Sequence, residues 1–270
     1  MKFGPVSPKE AIGGVAVHAI RQSSFVLKKG TLITPVEAEA LEQAGIKQIV
    51  VARLEDGDIS EDTAAAGIAQ VIAGEGIHVE KAFTGRCNLF AAHPGILVID
   101  RDAVDQLNRV DESITFATLP AFKAVAEGEM IATVKLIPFG IENGIYDKAV
   151  EAAEQRQIKI KPFTIKRVGV VSTMLPGLAP KVIDKTVQVT RERLARAGAS
   201  IIAERRVQHS EPALKAAVEE LLSLGSELVL IFGASAIADR RDIIPSAVEH
   251  AGGEVEHFGM PVDPGNLLLV

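Results

Sequence analysis

The segment Leu228-Val229-Leu230-Ile231-Phe232 runs directly into the small residues Gly233-Ala234-Ser235. A run of apolar residues without polar alternation is typical of a strand that is buried on both faces of a parallel sheet. Small residues at the end of such a strand let a ligand approach the backbone. The sequence therefore predicts a buried parallel strand that ends in a ligand-binding loop.

Strands and helices alternate on both sides of this segment. The apolar periodicity predicts strands over 168–172, 200–207, 227–232, 254–258 and 267–270, and helices over 182–197, 212–224 and 244–251. Because strands and helices alternate in this order, we predict a mainly parallel sheet with helices on both faces. The C-terminal half, 165–270, is thus predicted to be a three-layer α/β/α domain.

The N-terminal half has a different pattern. Between 77 and 140 the sequence has short β-rich runs separated by Gly, Pro and acidic residues. Ser7-Pro8-Lys9-Glu10 and Thr34-Pro35-Val36-Glu37 each combine an N-cap hydroxyl, a proline and a glutamate, which predicts that a helix begins at each of them. We predict a smaller α+β domain over 1–160.

Composition excludes several classes of function. The chain has 270 residues and a net charge of −6, which gives no bulk attraction to nucleic acid or anionic lipid. Only 4% of the residues are aromatic, so a platform for stacking single-stranded bases is lacking. The single cysteine, Cys87, excludes an internal disulfide and a Cys-rich metal site, and the six histidines show no metal-ligand spacing. The apolar run 11–20 is too short to cross a bilayer. We expect a cytoplasmic protein without nucleic-acid or membrane partners.

Two predicted β-to-α loops, 172–181 and 233–242, lie where parallel sheets bind ligands. In the second loop Arg240 offers a guanidinium for phosphate, whereas Asp239 and Asp242 offer carboxylates for a metal ion or a polar ring edge. The alternative is a tight structural loop in which Asp242 caps the next helix.

Three motifs in the C-terminal half carry a resemblance to a known family. They are Gly233-Ala234-Ser235 through Arg241-Asp242-Ile243-Ile244-Pro245, then Gly252-Gly253-Glu254-Val255, and then Pro264-Gly265-Asn266. Their order resembles the molybdopterin-binding domain shared by molybdopterin adenylyltransferases, molybdopterin molybdotransferases and gephyrin. The resemblance covers Arg167 to the end of the chain. A weaker similarity to the accessory region of molybdotransferases lies in Lys28-Lys29-Gly30-Thr31-Leu32.

This resemblance implies a protein of molybdenum cofactor biosynthesis that binds molybdopterin, with Mg²⁺ or molybdate as additional ligands. Family members place the pterin and its phosphate on the β-to-α loops. The residues implied in cofactor binding are Ser172, Thr173, Gly233, Ala234, Ser235, Asp239, Arg240, Asp242, Pro264 and Gly265. Asp242 and Asp184 are the implied metal ligands. Related domains assemble as dimers or trimers, so we expect a homo-oligomer.

The sequence departs from the family pattern at three points. Thr173-Met174-Leu175-Pro176 replaces a Gly-Asp-Glu-Leu loop, Ala234 replaces the second glycine of a pair, and Asn266 replaces a lysine. Because carboxylates are the usual ligands of a divalent ion, these changes favour binding without nucleotidyl or molybdate transfer. The alternatives are a non-catalytic regulatory or interaction module, or the binding half of a larger protein with a fused nucleotidyltransferase beyond Val270.

A second candidate loop lies in the N-terminal half. Thr84-Gly85-Arg86-Cys87-Asn88 places a guanidinium beside small and amide-bearing residues that can donate to an anion. The alternative is an ordinary surface turn, because Gly and Asn also occur in turns for backbone reasons.

Overall fold

A computed structural model describes residues 1–22, 25–154, 157–263 and 265–270. The chain divides into two compact units, Met1–Pro162 and Phe163–Val270, where the sequence predicted domains over 1–160 and 165–270. It is a mixed α/β protein. Among the described residues, no helix combines the length and the apolar character needed to span a membrane.

The N-terminal unit contains four helices and fourteen strands among its described residues. The helices are α1 (Pro35–Gln43), α2 (Glu61–Ile72), α3 (Arg101–Val110) and α4 (Asn143–Glu154). The strands are β1 (Lys2–Val6), β2 (Val15–Ala16), β3 (Ile20–Gln22), β4 (Phe25–Leu27), β5 (Ile49–Arg53), β6 (Asp58–Ser60), β7 (Ile77–Val79), β8 (Arg86–Ala91), β9 (Gly95–Val98), β10 (Ile114–Thr118), β11 (Ala124–Val125), β12 (Met130–Leu136), β13 (Gly140–Glu142) and β14 (Lys159–Pro162).

The largest sheet of this unit has the order β10-β12-β8-β7, and all its pairs are antiparallel. Alternate residues of each strand face a core that also takes side chains from α2, α3 and α4. Ile68 of α2, Leu89 of β8, Leu107 of α3 and Ala149 of α4 are fully buried there. The other face of the sheet carries the remaining residues of these strands, among them Arg86, Asn88, Thr133 and Lys135.

The two predicted helix starts have different outcomes. Thr34 caps α1, because its side chain accepts from the backbone of Val36 and pairs with Glu37, so this prediction is confirmed. At Ser7 the cap hydrogen bonds to Glu10 also form, but the chain makes only turns over 8–13. Gly13 has a φ of +84°, which a helix cannot continue, so the prediction of a helix here is wrong.

The C-terminal unit alternates strands and helices. Its elements are β15 (Arg167–Met174), α5 (Pro180–Arg196), β16 (Ser200–Gln208), α6 (Glu211–Ser223), β17 (Leu228–Phe232) and α7 (Ile243–His250). The three strands form one sheet of order β16-β15-β17 in which both pairings are parallel. Val170 of β15 clusters with Ile183 and Val187 of α5, whereas its neighbour Val171 clusters with residues of α6 and α7. Successive side chains of β15 therefore pack against α5 and against α6 and α7 in turn.

The predicted extent of the parallel sheet is wrong. Residues 254–258 and 267–270 do not join it; they fold against each other, with paired hydrogen bonds of 2.9 and 3.0 Å between His257 and Val270. Gly265, at φ +125°, lies in the reversal that makes this local antiparallel contact, whereas a parallel strand needs a long crossover. The mixed α/β class is confirmed. Most strand pairs of the described chain are antiparallel, and the parallel pairs are those of the three-stranded sheet in the C-terminal unit.

Candidate functional site

The carboxyl ends of β15 and β17 meet in the C-terminal unit. Ser172 pairs with Phe232 in parallel register, so the segments that follow these strands leave the sheet side by side. The Thr173 hydroxyl accepts a 2.9 Å hydrogen bond from the backbone N–H of Ala234 and so joins the two segments. Four predicted site residues, Ser172, Thr173, Gly233 and Ala234, are therefore brought together.

Thr173 is the centre of a buried network. Only 1% of this residue is exposed, and its hydroxyl also lies 2.9 Å from the Nδ1 of His209. His209 directly follows β16, the third parallel strand, and its backbone N–H bonds to the carbonyl of Met174. Sequence reasoning missed His209 because it treated the histidines as scattered; its position just after a predicted strand was the available signal.

Gly233 lies where the loop approaches α7. A Cβ at this position would come within 2.7 Å of the Ile244 Cδ1 and 2.9 Å of the carbonyl oxygen of Ser235. The loop backbone can therefore fold this closely only without a side chain at Gly233. Ser235 itself is exposed, and its hydroxyl donates 3.1 Å to the adjacent carbonyl of Ala236. The Ser235 hydroxyl can therefore give up its local hydrogen bond to Ala236 and form one with a ligand.

A groove of about 790 Å³ lies beside this loop, within the C-terminal unit. Its walls are mostly apolar. They comprise the whole of β17, residues 233–237, Ile244 and Val248 of α7, and residues 267–270. Apolar walls with a few polar groups at one end are typical of small-molecule sites.

Asp242 caps α7. One carboxylate oxygen accepts 2.7 Å from the N–H of Ile243, and the other accepts 3.1 Å from the N–H of Ala238. The hydrogen bonds from Ala238 and Ile243 lower the pKa of Asp242. Both oxygens thus hold backbone groups of the loop, which is the structural alternative that the sequence also allowed.

The other charged residues of the loop are also engaged. Arg241 donates to Asp239 over 2.6 Å and holds the pKa of that carboxyl at about 2. Arg240 donates 2.8 Å to the carbonyl of Val255, which ties the loop to the following segment. Arg240 therefore holds backbone of the C-terminal unit in place through this hydrogen bond.

The implied metal ligands have separate partners. Asp184, on α5, accepts 2.7 Å from Arg206 of β16, whereas Asp242 caps α7. In the part of the chain that the structure describes, no three His, Cys, Asp or Glu side chains are grouped to hold a metal ion. Of the remaining predicted residues, Gly265 lies in the reversal before residues 267–270, and Pro264 lies outside the described residues.

The cap at Asp242 predicts an acid-sensitive contribution to stability. Because its folded pKa lies below the ordinary value of 3.8, this contribution is present above pH 3.8 and is lost as the pH falls through the folded pKa. Replacing Asp242 by asparagine exchanges one acceptor for a donor and should cost about 1 kcal/mol at pH 6. Thermal unfolding of both proteins from pH 6 to pH 2 should show the difference shrinking below pH 4. A difference that stays constant over this range would contradict the prediction.

A comparison with protein families matches the first part of the chain. The model of a family described as "Domain of unknown function (DUF8806)" matches residues 5–53. These residues lie within the N-terminal unit and include α1 and β5. No curated protein matches the chain. What the chain is similar to is therefore a family without a described function, over the first part of the N-terminal unit.

Proposed function

We propose that the C-terminal unit binds molybdopterin, a pterin that carries an anionic phosphate, as part of molybdenum cofactor biosynthesis. The observation that carries this proposal is the groove of about 790 Å³ that runs along β17 and is bordered, at the carboxyl end of this strand, by the loop that Thr173 holds. Ligands of α/β sheets bind outside the carboxyl ends of the strands, where this loop lies. The placement of α5 against one side of β15 and of α6 and α7 against the other supports an α/β/α ligand domain of the implied kind.

The groove suits a flat heterocycle. Its volume lies within the range of about 300–1,000 Å³ for small-molecule sites. Ile244, Val248 and the side chains of β17 offer apolar surface to the ring faces. The backbone of 233–236 and the Ser235 hydroxyl offer donors and acceptors to the ring edge. The ring would lie along β17 with its polar edge at the loop.

The phosphate has a candidate position at the start of α5. This helix begins after Ala179 without a side-chain cap, so its first backbone N–H groups point to an open end. The Ser172 hydroxyl, 2% exposed, has no hydrogen-bond partner among the described residues. Lys181 in the first turn is exposed. The N–H groups at the start of this helix and Lys181 would supply donors and positive charge for a phosphate.

The same geometry favours binding over metal-dependent transfer. Asp184, Asp239 and Asp242 each accept from a partner within the unit, so a divalent ion would have to displace an existing contact to use any of them. The described residues thus do not fit a resident Mg²⁺ site. This observation supports the second candidate function, a non-catalytic binding or regulatory module on the same scaffold.

An anaerobic titration with molybdopterin, with and without Mg²⁺, tests the proposal. Bound pterin would be measured by its fluorescence after oxidation. We expect saturable binding that does not depend on Mg²⁺. Ser235→Ala should weaken binding about fivefold to tenfold, the equivalent of one hydrogen bond of about 1 kcal/mol. Ser223→Ala is the matched control, because Ser223 is an exposed serine on α6 whose hydroxyl also donates to a local carbonyl.

Two results would overturn the proposal. If no binding is measured at high micromolar pterin, molybdopterin is not the ligand. If the two serine variants bind with equal affinity, the ligand does not contact the 233–237 loop. Binding that requires Mg²⁺ would instead contradict the metal-independent form of the proposal and favour transfer chemistry.

A further inference from the structure

The outer face of the sheet β10-β12-β8-β7 in the N-terminal unit carries two adjacent cations. Cys87, Leu89 and Ala91 of β8 face the core, so the alternate residues of this strand lie on the opposite face. Arg86 is one of these outer residues, and Lys135 of β12 lies directly opposite it in the antiparallel register. Both side chains are exposed.

This pairing is unfavourable by itself. Like charges directly opposite each other on neighbouring strands destabilise a sheet, since their Cβ atoms are only about 5 Å apart. Neither Arg86 nor Lys135 has an ion-pair partner among the residues that the structure describes. The protein has a net charge of −6, so acidic residues are not scarce. The two cations therefore lie side by side without an ion-pair partner, and the carboxylates of Glu61 and Asp62 lie at Gly85, the residue before Arg86.

A strained turn directly precedes Arg86. Phe83 and Arg86 exchange backbone hydrogen bonds of 2.8 and 3.1 Å around a two-residue turn whose φ angles are +49° at Thr84 and +70° at Gly85. Asn or Gly is usual at the first of these positions, and a β-branched residue there is disfavoured. Gly85 is fixed on both sides, because its N–H donates 2.7 Å to Asp62 and its carbonyl accepts 2.7 Å from Leu136. Such strain persists where surrounding structure enforces it, often at functional sites.

The acidic group on this face bonds elsewhere. Glu80 accepts 3.1 Å from the side-chain amide of Asn88, and the Asn88 oxygen accepts 3.0 Å from the Thr133 hydroxyl. This polar row, which includes the Glu80 carboxylate, lies at the next outward-facing positions along β8 and β12 from the two cations. It leaves the Arg86 and Lys135 side chains available to a ligand.

We propose that Arg86 and Lys135 bind a small molecule through a phosphate group, with Thr84 in the exposed turn before Arg86 as a further donor. A guanidinium presents a fork of donors to two phosphate oxygens, and an ammonium adds a compact charge. The doubly charged phosphate also removes the repulsion between the two side chains. This site belongs to the N-terminal unit and is independent of the pterin site proposed above.

The test uses the full chain with inorganic phosphate and pyrophosphate as probes, at low salt in a phosphate-free buffer. Affinity would be measured by calorimetry, and the melting temperature by scanning fluorimetry. Arg86→Gln and Lys135→Gln should each lower the affinity at least tenfold. Lys47→Gln, at an exposed lysine elsewhere in the same unit, should leave it unchanged. Lys181→Gln controls for phosphate bound by the C-terminal unit.

A second readout separates binding from folding. In the absence of phosphate, Arg86→Gln and Lys135→Gln should each raise the melting temperature, and added NaCl should remove this gain because it screens the repulsion. Phosphate should raise the melting temperature of the unmodified protein more than that of these two variants. The proposal would be overturned if phosphate does not bind, if Lys47→Gln lowers the phosphate affinity as much as Arg86→Gln and Lys135→Gln do, or if only Lys181→Gln lowers it. It would also be overturned if acetate binds as tightly as phosphate.

Discussion

Replacing Gly233 by alanine is expected to lower the affinity of the C-terminal unit for molybdopterin more than tenfold. The new Cβ would lie 2.7 Å from the Ile244 Cδ1 and 2.9 Å from the Ser235 carbonyl oxygen. The end of the Ile244 side chain can move, but the Ser235 carbonyl is backbone, so the loop must shift. That shift strains the hydrogen bond from Ala234 to Thr173 and displaces the polar edge of the groove.

The matched control is Gly144→Ala. Gly144 lies in α4, and a Cβ there would meet no atom within 4 Å. Alanine in a helix is favoured over glycine by about 1 kcal/mol, so this variant should be at least as stable as the unmodified protein and should bind pterin equally. Pterin affinity would be measured by the same anaerobic titration. Unchanged affinity in Gly233→Ala would show that the loop is not the binding surface.

Replacing Leu89 by alanine is expected to reduce the free energy of unfolding of the N-terminal unit by about 3 kcal/mol. Leu89 is fully buried in the middle of β8, between β12 and β7, and packs in the core that α2, α3 and α4 complete. Truncation leaves a cavity that the helices can close only in part, which adds to the lost transfer free energy. Urea unfolding followed by circular dichroism would measure the change.

Leu32→Ala provides the comparison within the same unit. Leu32 is 56% exposed, so the same loss of atoms should cost only about 0.5 kcal/mol. If the two leucine variants lose equal stability, the core described around β8 does not hold the N-terminal unit together.

Local patterns account for the elements that were predicted correctly in the C-terminal unit. α5, α6 and α7 begin and end within two residues of the predicted 182–197, 212–224 and 244–251. The periodicity of apolar residues is a property of the segment itself, and so are the proline near each helix start and the glycine after each end. The apolar run of β17 likewise became a strand of the parallel sheet.

The apolar runs alone did not show whether a segment joins the parallel sheet or pairs antiparallel with a segment close to it in the chain. Residues 254–258 and 267–270 have the composition of strands, yet they pair with each other through His257 and Val270 instead of extending the sheet. Whether an apolar run joins a distant strand or a near one depends on the chain reversal between them, and an antiparallel return needs only a short connection. In the same way, the Ser7 cap formed, but Gly13 prevented a helix.

The sequence alone was sufficient for the mixed α/β class and for the strand and loop at 228–235, and it offered the cap at Asp242 as one of two alternatives, because each depends on neighbours within a few positions. The folded structure decided which distant groups meet: Thr173 with Ala234 and His209, Asp184 with Arg206, and Arg86 with Lys135. These contacts join residues far apart in the chain, so their geometry depends on strand order and register. No local periodicity encodes that order, which forms only when the strands pair and the helices bury their apolar faces together.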